Sequence, residues 1–266
     1  MTKYVHGYSE REAQRLKDQA NTLDNLLHHD SIWNNGSLIL EAGCGVGAQT
    51  KIIAPANPKS HFVSIDISHE SVAQACEMAE SLHIGNVEFK QADIFNLSFP
   101  DNHFDHIFVC FVLEHLPDPV IALQKLKSVL KPGGTIMVIE GDHGSTYFHP
   151  DSEEAREAVN CQVILQKRNG GNANIGRELY PLLHQSGFNE INVSPRMVYV
   201  DDSKPEMVEG FTRNTFSAMI EGVSATAIEA GLITPERMKK GVADLYHCAD
   251  GGGTFCYTFF KGVGIK

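Results

Sequence analysis

The chain has 266 residues, enough for one large α/β domain or one domain with an insertion, and 42% are apolar, which supplies a full core and excludes general disorder. Its 22 basic and 33 acidic residues leave a net charge of −11 with no Lys/Arg run, so no nucleic-acid partner is expected. Six scattered cysteines without a C-x-x-C pair fit reduced thiols. The chain shows no signal-peptide core and no apolar stretch of about 18 residues, so a cytoplasmic protein without membrane insertion is expected.

Ala13, Leu16, Ala20, Leu23, Leu26 and Leu27 recur at helical spacing behind a Ser9/Glu12 capping box, which predicts a helix over 9–30. Trp33 to Gly36 is a loop. Leu38-Ile39-Leu40 opens a buried strand over 38–42, and a helix over about 47–54 stops before Pro55. Phe62-Val63-Ser64-Ile65 marks a second strand over 61–66, and Ser68 caps a helix over 69–83. Val87–Gln91 alternates as a third strand, and Phe104–Val109 is a fourth. Pro117 begins a helix near 118–130. Lys131-Pro132-Gly133-Gly134 predicts a hard stop and turn before a fifth strand over 135–139. Strand and helix thus alternate over 38–140, as in a parallel sheet covered on both faces. From 141 to 175 the chain is polar and glycine-rich around a helix near 151–168. A helix over 179–186, a strand over 191–200, helices over 205–230 and 235–247 and a strand over 254–260 complete the expected order.

The chemistry concentrates in Leu38-Ile39-Leu40-Glu41-Ala42-Gly43-Cys44-Gly45-Val46-Gly47. Gly43, Gly45 and Gly47 let the backbone pass close to a ligand. The spacing is G-x-G-x-G, not the G-x-G-x-x-G that leads a helix N-terminus onto a pyrophosphate, and Glu41 would repel one. A carboxylate there suits a ligand that carries an ammonium group and no phosphate. S-adenosylmethionine is such a ligand. Asp66, followed by Ile67, ends the second strand where an acid accepts from both ribose hydroxyls; an N-terminal charge for the next helix is the alternative use. Asp93 and Ile94 follow the third strand, where an acid accepts from the adenine amino group and an apolar side chain covers the ring.

This stretch resembles motif I of the class I S-adenosylmethionine-dependent methyltransferases, and the resemblance spans about 36–140, including the 131–134 turn. It implies a doubly wound, mostly parallel seven-stranded α/β sheet with helices on both faces, a helical cap and an antiparallel last strand. The implied organisation is an N-terminal helical lid over 1–35, a cofactor-binding core over 36–140, a substrate cap with strand six over 141–250, and a last strand within 251–266. Cys110-Phe111-Val112-Leu113-Glu114-His115 resembles motif IV, whose backbone borders the methionine part of the cofactor. It lacks Asn/Asp-Pro-Pro-Tyr/Phe, so base amines and amide nitrogens lose weight as acceptors. Tyr8 and Gln19 would reach the methionine tail from the lid.

The implied reaction is in-line displacement of the methyl group onto a small-molecule acceptor, quinone-like or another metabolite. His115 and His143 are candidate general bases, since histidine titrates near neutrality; Glu-His-Leu at 114–116 equally suits a structural turn. Asp142-His143 and the loop from Asn169 to Arg177 are candidate pocket walls. His28-His29 diverge on a helix and His247-Cys248 lacks distant partners, so no metal is expected. An NAD-dependent oxidoreductase is disfavoured by the glycine spacing and Glu41. A non-catalytic S-adenosylmethionine sensor or scaffold stays open, as does the oligomeric state.

Overall fold

The computed structural model describes residues 22–266. Tyr8, Gln19 and most of the expected first helix lie outside them. The described helix α1 covers residues 22–28. The elements that follow are β1 (Leu38–Ala42), α2 (Thr50–Ala56), β2 (His61–Asp66), α3 (His69–Ser81), β3 (Val87–Gln91), β4 (Phe104–Cys110), α4 (Pro119–Val129), β5 (Leu130–His149), α5 (Glu153–Arg168), α6 (Leu179–Gln185) and β6 (Asn189–Val200). Short α7 (Pro205–Met207), a π-helical segment (Val208–Ser217), α8 (Ala218–Gly222), α9 (Ser224–Glu229), α10 (Pro235–His247) and β7 (Thr254–Ile265) complete the order.

The seven strands form one sheet in the order β3-β2-β1-β4-β5-β7-β6. Strands β1 to β5 pair in parallel. The last strand is antiparallel. The Gly133 N–H donates to the Lys266 carbonyl at 3.3 Å and the Lys266 N–H to the Gly134 carbonyl at 3.0 Å, while Thr258 meets Ser145 at the other end of β5. Gly262 and Gly264 lie against Val193 and Ile191, so β6 and β7 also run in opposite directions.

The residues divide into two compact units. The larger holds Asp24–Glu140, Ile175–Pro195 and Phe260–Lys266. Its register sorts the strands into two faces. Leu40, Val63, Ile107 and Ile136 align across the sheet and pack with Leu123 and Leu126 of α4 and Leu179 and Leu183 of α6. Each such fully buried aliphatic side chain contributes roughly 1.5–3 kcal/mol. The opposite face carries Glu41, Ser64, Phe108 and Met137 in one row, with Trp33 edge-on to Phe62 and Phe108. Lys261 of β7 is buried on this unit, and its ammonium donates to the Leu27 carbonyl, Asp30 and Ser31 at 3.1, 2.6 and 2.9 Å.

The smaller unit holds Gly141–Asn174 and Arg196–Phe259, with residues 22–23. Helix α10 lies tight on α5, because a Cβ on Gly241 would stand 2.3 Å from the Glu154 carbonyl oxygen. Arg237 clasps Glu157 at 2.5 Å and Glu154 at 3.3 Å across that contact, and Ser152 bonds Asp244. Phe211, Phe216, Phe255, Tyr257 and Phe259 form an aromatic cluster with ring centroids 4.7–5.9 Å apart.

Several sequence expectations need correction. Helix α2 begins at Thr50 and runs through Pro55 to Ala56; a proline one residue from the helix end removes only a terminal hydrogen bond. Helix α3 ends at Ser81, ahead of His83 in the left-handed region. Lys131–Gly134 is not a stop. Strand β5 starts at Leu130, and between the pairs Phe104–Leu130 and His106–Thr135 it absorbs the extra residues as an irregularity. Gly134 must be glycine there, since a Cβ would meet the Asp105 carbonyl at 2.6 Å. Residues 141–149, expected as polar loop, continue β5 as strand, because β7 supplies the backbone partners their composition does not advertise. The expected helix over 205–230 is broken into four pieces, one of them π-helical.

Candidate cofactor and active site

The C-terminal ends of β1 to β4 meet at one edge of the sheet, where a doubly wound fold binds ligands. After β1 the chain turns through Gly43, Gly45 and Gly47, with φ of +86°, +52° and +79°. The Gly43 and Cys44 N–H groups both donate to the Ile65 carbonyl, at 2.8 and 2.9 Å. The three glycines have different tasks. A Cβ on Gly43 would stand 2.3 Å from Val112 Cγ2, and one on Gly47 would stand 2.4 Å from Met78 Cε. A Cβ on Gly45 would meet nothing within 4 Å. Among the described residues, only at Gly45 of the three would a Cβ meet open space; at Gly43 and Gly47 that position is closed by Val112 and Met78.

Asp66 ties this loop to the end of β2. Its Oδ2 accepts from the Gly45 N–H at 2.9 Å and its Oδ1 from the Ser68 N–H at 2.9 Å. Each oxygen retains a lone pair for a further donor. Ile67 beside it is 58% exposed. The Ala92 N–H donates to the Asp66 carbonyl at 2.9 Å, which brings the end of β3 alongside. Asp93 caps the short turn Ile94–Asn96, accepting from the Phe95 N–H and Asn96 Nδ2 at 2.9 and 3.0 Å. Ile94 is 8% exposed and belongs to the core beneath, so its side chain supports the floor more than it offers a face.

Glu41 is buried, and its Oε2 accepts from Ser64 at 2.5 Å and Thr50 at 2.7 Å. Ser64 is its register partner on β2, which explains the first bond. Thr50 opens α2, which explains the second. Burial pushes its carboxyl up to about 7 against the lowering effect of both hydroxyls. A cation nearby would draw it back toward the anion. Gln49, at the head of α2, accepts from His28 Nε2 at 2.7 Å, and burial holds that imidazole down at about 4. His28 is therefore a neutral structural histidine. Among the described residues no group of three or more His, Cys, Asp or Glu gathers as a metal site.

Cys110 ends β4 in the core, and Phe111 adopts φ +58°. His115 lies 3.6 Å from the Glu114 carboxylate on the turn Leu113–His115. His143 belongs to the smaller unit, on the continuation of β5, where it is buried and its Nδ1 lies 3.0 Å from the Tyr257 hydroxyl. A Cβ on Gly141, two residues earlier, would stand 2.4 Å from that hydroxyl, so Tyr257 spans both positions. Residues 169–177 place Ala173 on the His143 N–H and Asn174 on the Gly144 N–H, at 3.0 and 2.8 Å. Sequence reasoning placed Val112 only within the 110–115 segment and gave no role to Glu140 or Tyr257; the strand alternation around Tyr257 was an available signal.

A family model for the methyltransferase domain matches residues 34–187, more than half of the chain. The chain belongs to the methyltransferase-domain family. Its fold is the Rossmann-like fold of S-adenosylmethionine-dependent methyltransferases. An uncharacterised 37.1 kDa protein of a transposon in Streptomyces fradiae is 33% identical over 222 residues, covering 78% of this chain and 63% of that protein. A ubiquinone/menaquinone biosynthesis C-methyltransferase of Vibrio cholerae is 36% identical over 107 residues, 40% of this chain and 41% of that enzyme. The chain thus spans less than two thirds of the length of these curated relatives. Among solved structures, a Haemonchus contortus phosphoethanolamine N-methyltransferase with S-adenosylhomocysteine superposes with a TM-score of 0.58 at 17% identity, covering 92% of this chain and 52% of the other. The [4+2]-cyclase SpnF superposes with a TM-score of 0.57 at 21% identity, covering 94% and 81%. At these identities the likeness is one of fold, and the methyltransferase domain shares that fold with proteins of different chemistry.

Proposed function

We propose that this chain is an S-adenosylmethionine-dependent methyltransferase acting on a small-molecule acceptor. The observation that carries the reading is the open, left-handed Gly45 bonded to Asp66 at the edge where β1, β2 and β3 end. A cofactor without phosphates fits the carboxylates of Glu41, Asp66 and Asp93 gathered at these strand ends. Asp66 would hold the ribose, Asp93 the adenine amino group, and Cys110 and Phe111 the backbone beside the methionine part. Glu41 would stabilise the donor's positive charge from beneath the loop. Tyr8 and Gln19 remain candidate contacts to the methionine tail, outside the described residues.

Bound there, S-adenosylmethionine supplies an already activated methyl group, so the protein's task is alignment and exclusion of water. His143 is the favoured proton acceptor on the acceptor side. Its Nδ1 lies 3.0 Å from the Tyr257 hydroxyl, which would orient the ring for general-base work. His115, beside Glu114, is the second candidate base. The relatives named for quinone and phosphoethanolamine methylation, and the C-methyltransferase name in particular, support a metabolite rather than a macromolecule as acceptor. A cytoplasmic site of action is part of this proposal; among the described residues no helix is long and apolar enough to cross a membrane.

The test is calorimetric titration with S-adenosylhomocysteine, followed by incubation with methyl-labelled donor and a metabolite extract. Binding and label transfer support the proposal. Absence of binding sinks it, and binding without transfer across a broad pool turns the chain into a sensor or scaffold.

A further inference from the structure

Glu140 stands on β5 in the larger unit, is fully buried, and is used by none of the roles above. Its Oε1 accepts from the Val112 N–H at 3.0 Å and the Leu113 N–H at 2.7 Å. These are the first free amides of the turn Leu113–His115, which then closes through the His115 N–H on the Val112 carbonyl at 3.0 Å. The neighbouring Phe111 N–H goes to the Ile139 carbonyl at 2.9 Å. Consecutive residues of β5 therefore anchor consecutive amides of the segment after β4. A helical turn leaves its first amides without internal partners. Here the cap comes from another strand, not from the segment's own residues.

Two further observations give this cap a consequence. Phe111 holds φ +58°, a conformation that a bulky residue keeps only where its surroundings fix it. Val112 is the side chain that fills the space over Gly43, 2.3 Å from where a Cβ would stand. The chain of contact runs from Glu140 through the Val112 amide and side chain to the first glycine of the loop. Burial, reinforced by Glu114, pushes the Glu140 carboxyl above the ordinary carboxylate range.

We infer that Glu140 is a positioning residue of the donor site: by fixing Val112 against Gly43 it sets the affinity for the methionine end of the cofactor. The inference rests on the reading that residues 110–115 border that end.

The experiment measures S-adenosylhomocysteine affinity and Tm for the full chain carrying Glu140→Gln, Glu140→Ala, Val138→Ala or Asp66→Ala. Glu140→Gln keeps an accepting oxygen and should bind within about twofold of wild type, whereas Glu140→Ala should bind about tenfold more weakly, as loss of two amide bonds implies. Val138→Ala, a buried change on the same strand, should lower Tm while leaving affinity within about twofold. Wild-type affinity in folded Glu140→Ala overturns the inference, as does equal weakening in Val138→Ala, which would reveal a merely structural role. A Gln variant as weak as the Ala variant also overturns it. Should Glu140→Ala fail to fold, Val112→Ala reports the same seat, and an unchanged affinity there overturns the inference. If Asp66→Ala binds normally, the donor-site reading itself falls; if Asp66→Ala fails and Glu140→Ala does not, only the inference falls.

Discussion

In the larger unit three acids of the sheet edge are bonded to backbone amides, while Glu41 meets the Ser64 and Thr50 hydroxyls. Asp66 holds the amides of Gly45 and Ser68, Asp93 that of Phe95, and Glu140 those of Val112 and Leu113. In the smaller unit several polar pairs are side chain to side chain: His143 with Tyr257, Gln162 with Gln166, Ser152 with Asp244. The difference has a physical consequence. A carboxylate that organises amides fixes loop geometry, and the loop then tolerates few residue types. A side-chain network among aromatic rings is rewritten by single substitutions without disturbing the backbone.

The largest effect that sharpens this contrast concerns the smaller unit. His143→Gln should lower methyl transfer by about 10²–10⁴-fold, the usual contribution of a general base, with S-adenosylhomocysteine affinity unchanged by calorimetry. A matching loss of affinity would break the contrast. Asp66→Ala should do the reverse, weakening S-adenosylhomocysteine by roughly 100-fold, as one charge-assisted hydrogen bond of about 1.5–3 kcal/mol requires. The glycine pair gives a finer test. Gly43→Ala, forced against Val112, should lose roughly 2–3 kcal/mol in urea unfolding. Gly45→Ala should lose only about 1 kcal/mol, from its left-handed backbone, yet bind about tenfold more weakly because its Cβ occupies the ligand's space.

The smallest effect is the pH dependence set by Glu41. Its folded carboxyl titrates near 7 and its unfolded one near the ordinary 4.5. The protonated form is therefore favoured by folding, and its contribution is complete below about 4.5 and is lost as pH rises to about 7. Thermal unfolding should show wild type losing stability relative to Glu41→Gln across that window, and running parallel to it above. A flat difference would show that Glu41 is already ionised in the fold.

The parts legible from sequence were those with a local cause. The spacing of Gly43, Gly45 and Gly47 ahead of Asp66 identified the strand ends, because φ limits and a short apolar strand act within ten residues. What each glycine faces was not legible, since Val112 and Met78 reach them from other elements. Glu140 carried no signal at all: its partners lie 27 and 28 residues away. Pro132-Gly133-Gly134 reads as a stop on local rules, yet Lys266 supplies the hydrogen bonds that keep it in the sheet. Val208–Ser217 reads as helix from sequence, but its π-helical form does not show there; Thr215 Oγ1 donates to the Gly210 carbonyl five residues back at 2.7 Å.

The position of β7 between β5 and β6 bears on how the molecule is made. On a ribosome, β5 and β6 emerge before the strand that joins them. Until β7 arrives, each presents a bare row of amides and carbonyls, and such open edges are templates for pairing with other chains. Lys261, carried on that same strand, reaches Asp30 and Ser31 some 230 residues back, so the beginning of the described chain waits on it as well. A long-range closure of this kind makes for slow folding. Expression at low temperature, which slows association of open edges, should therefore raise the yield of soluble protein more than any change at the donor site.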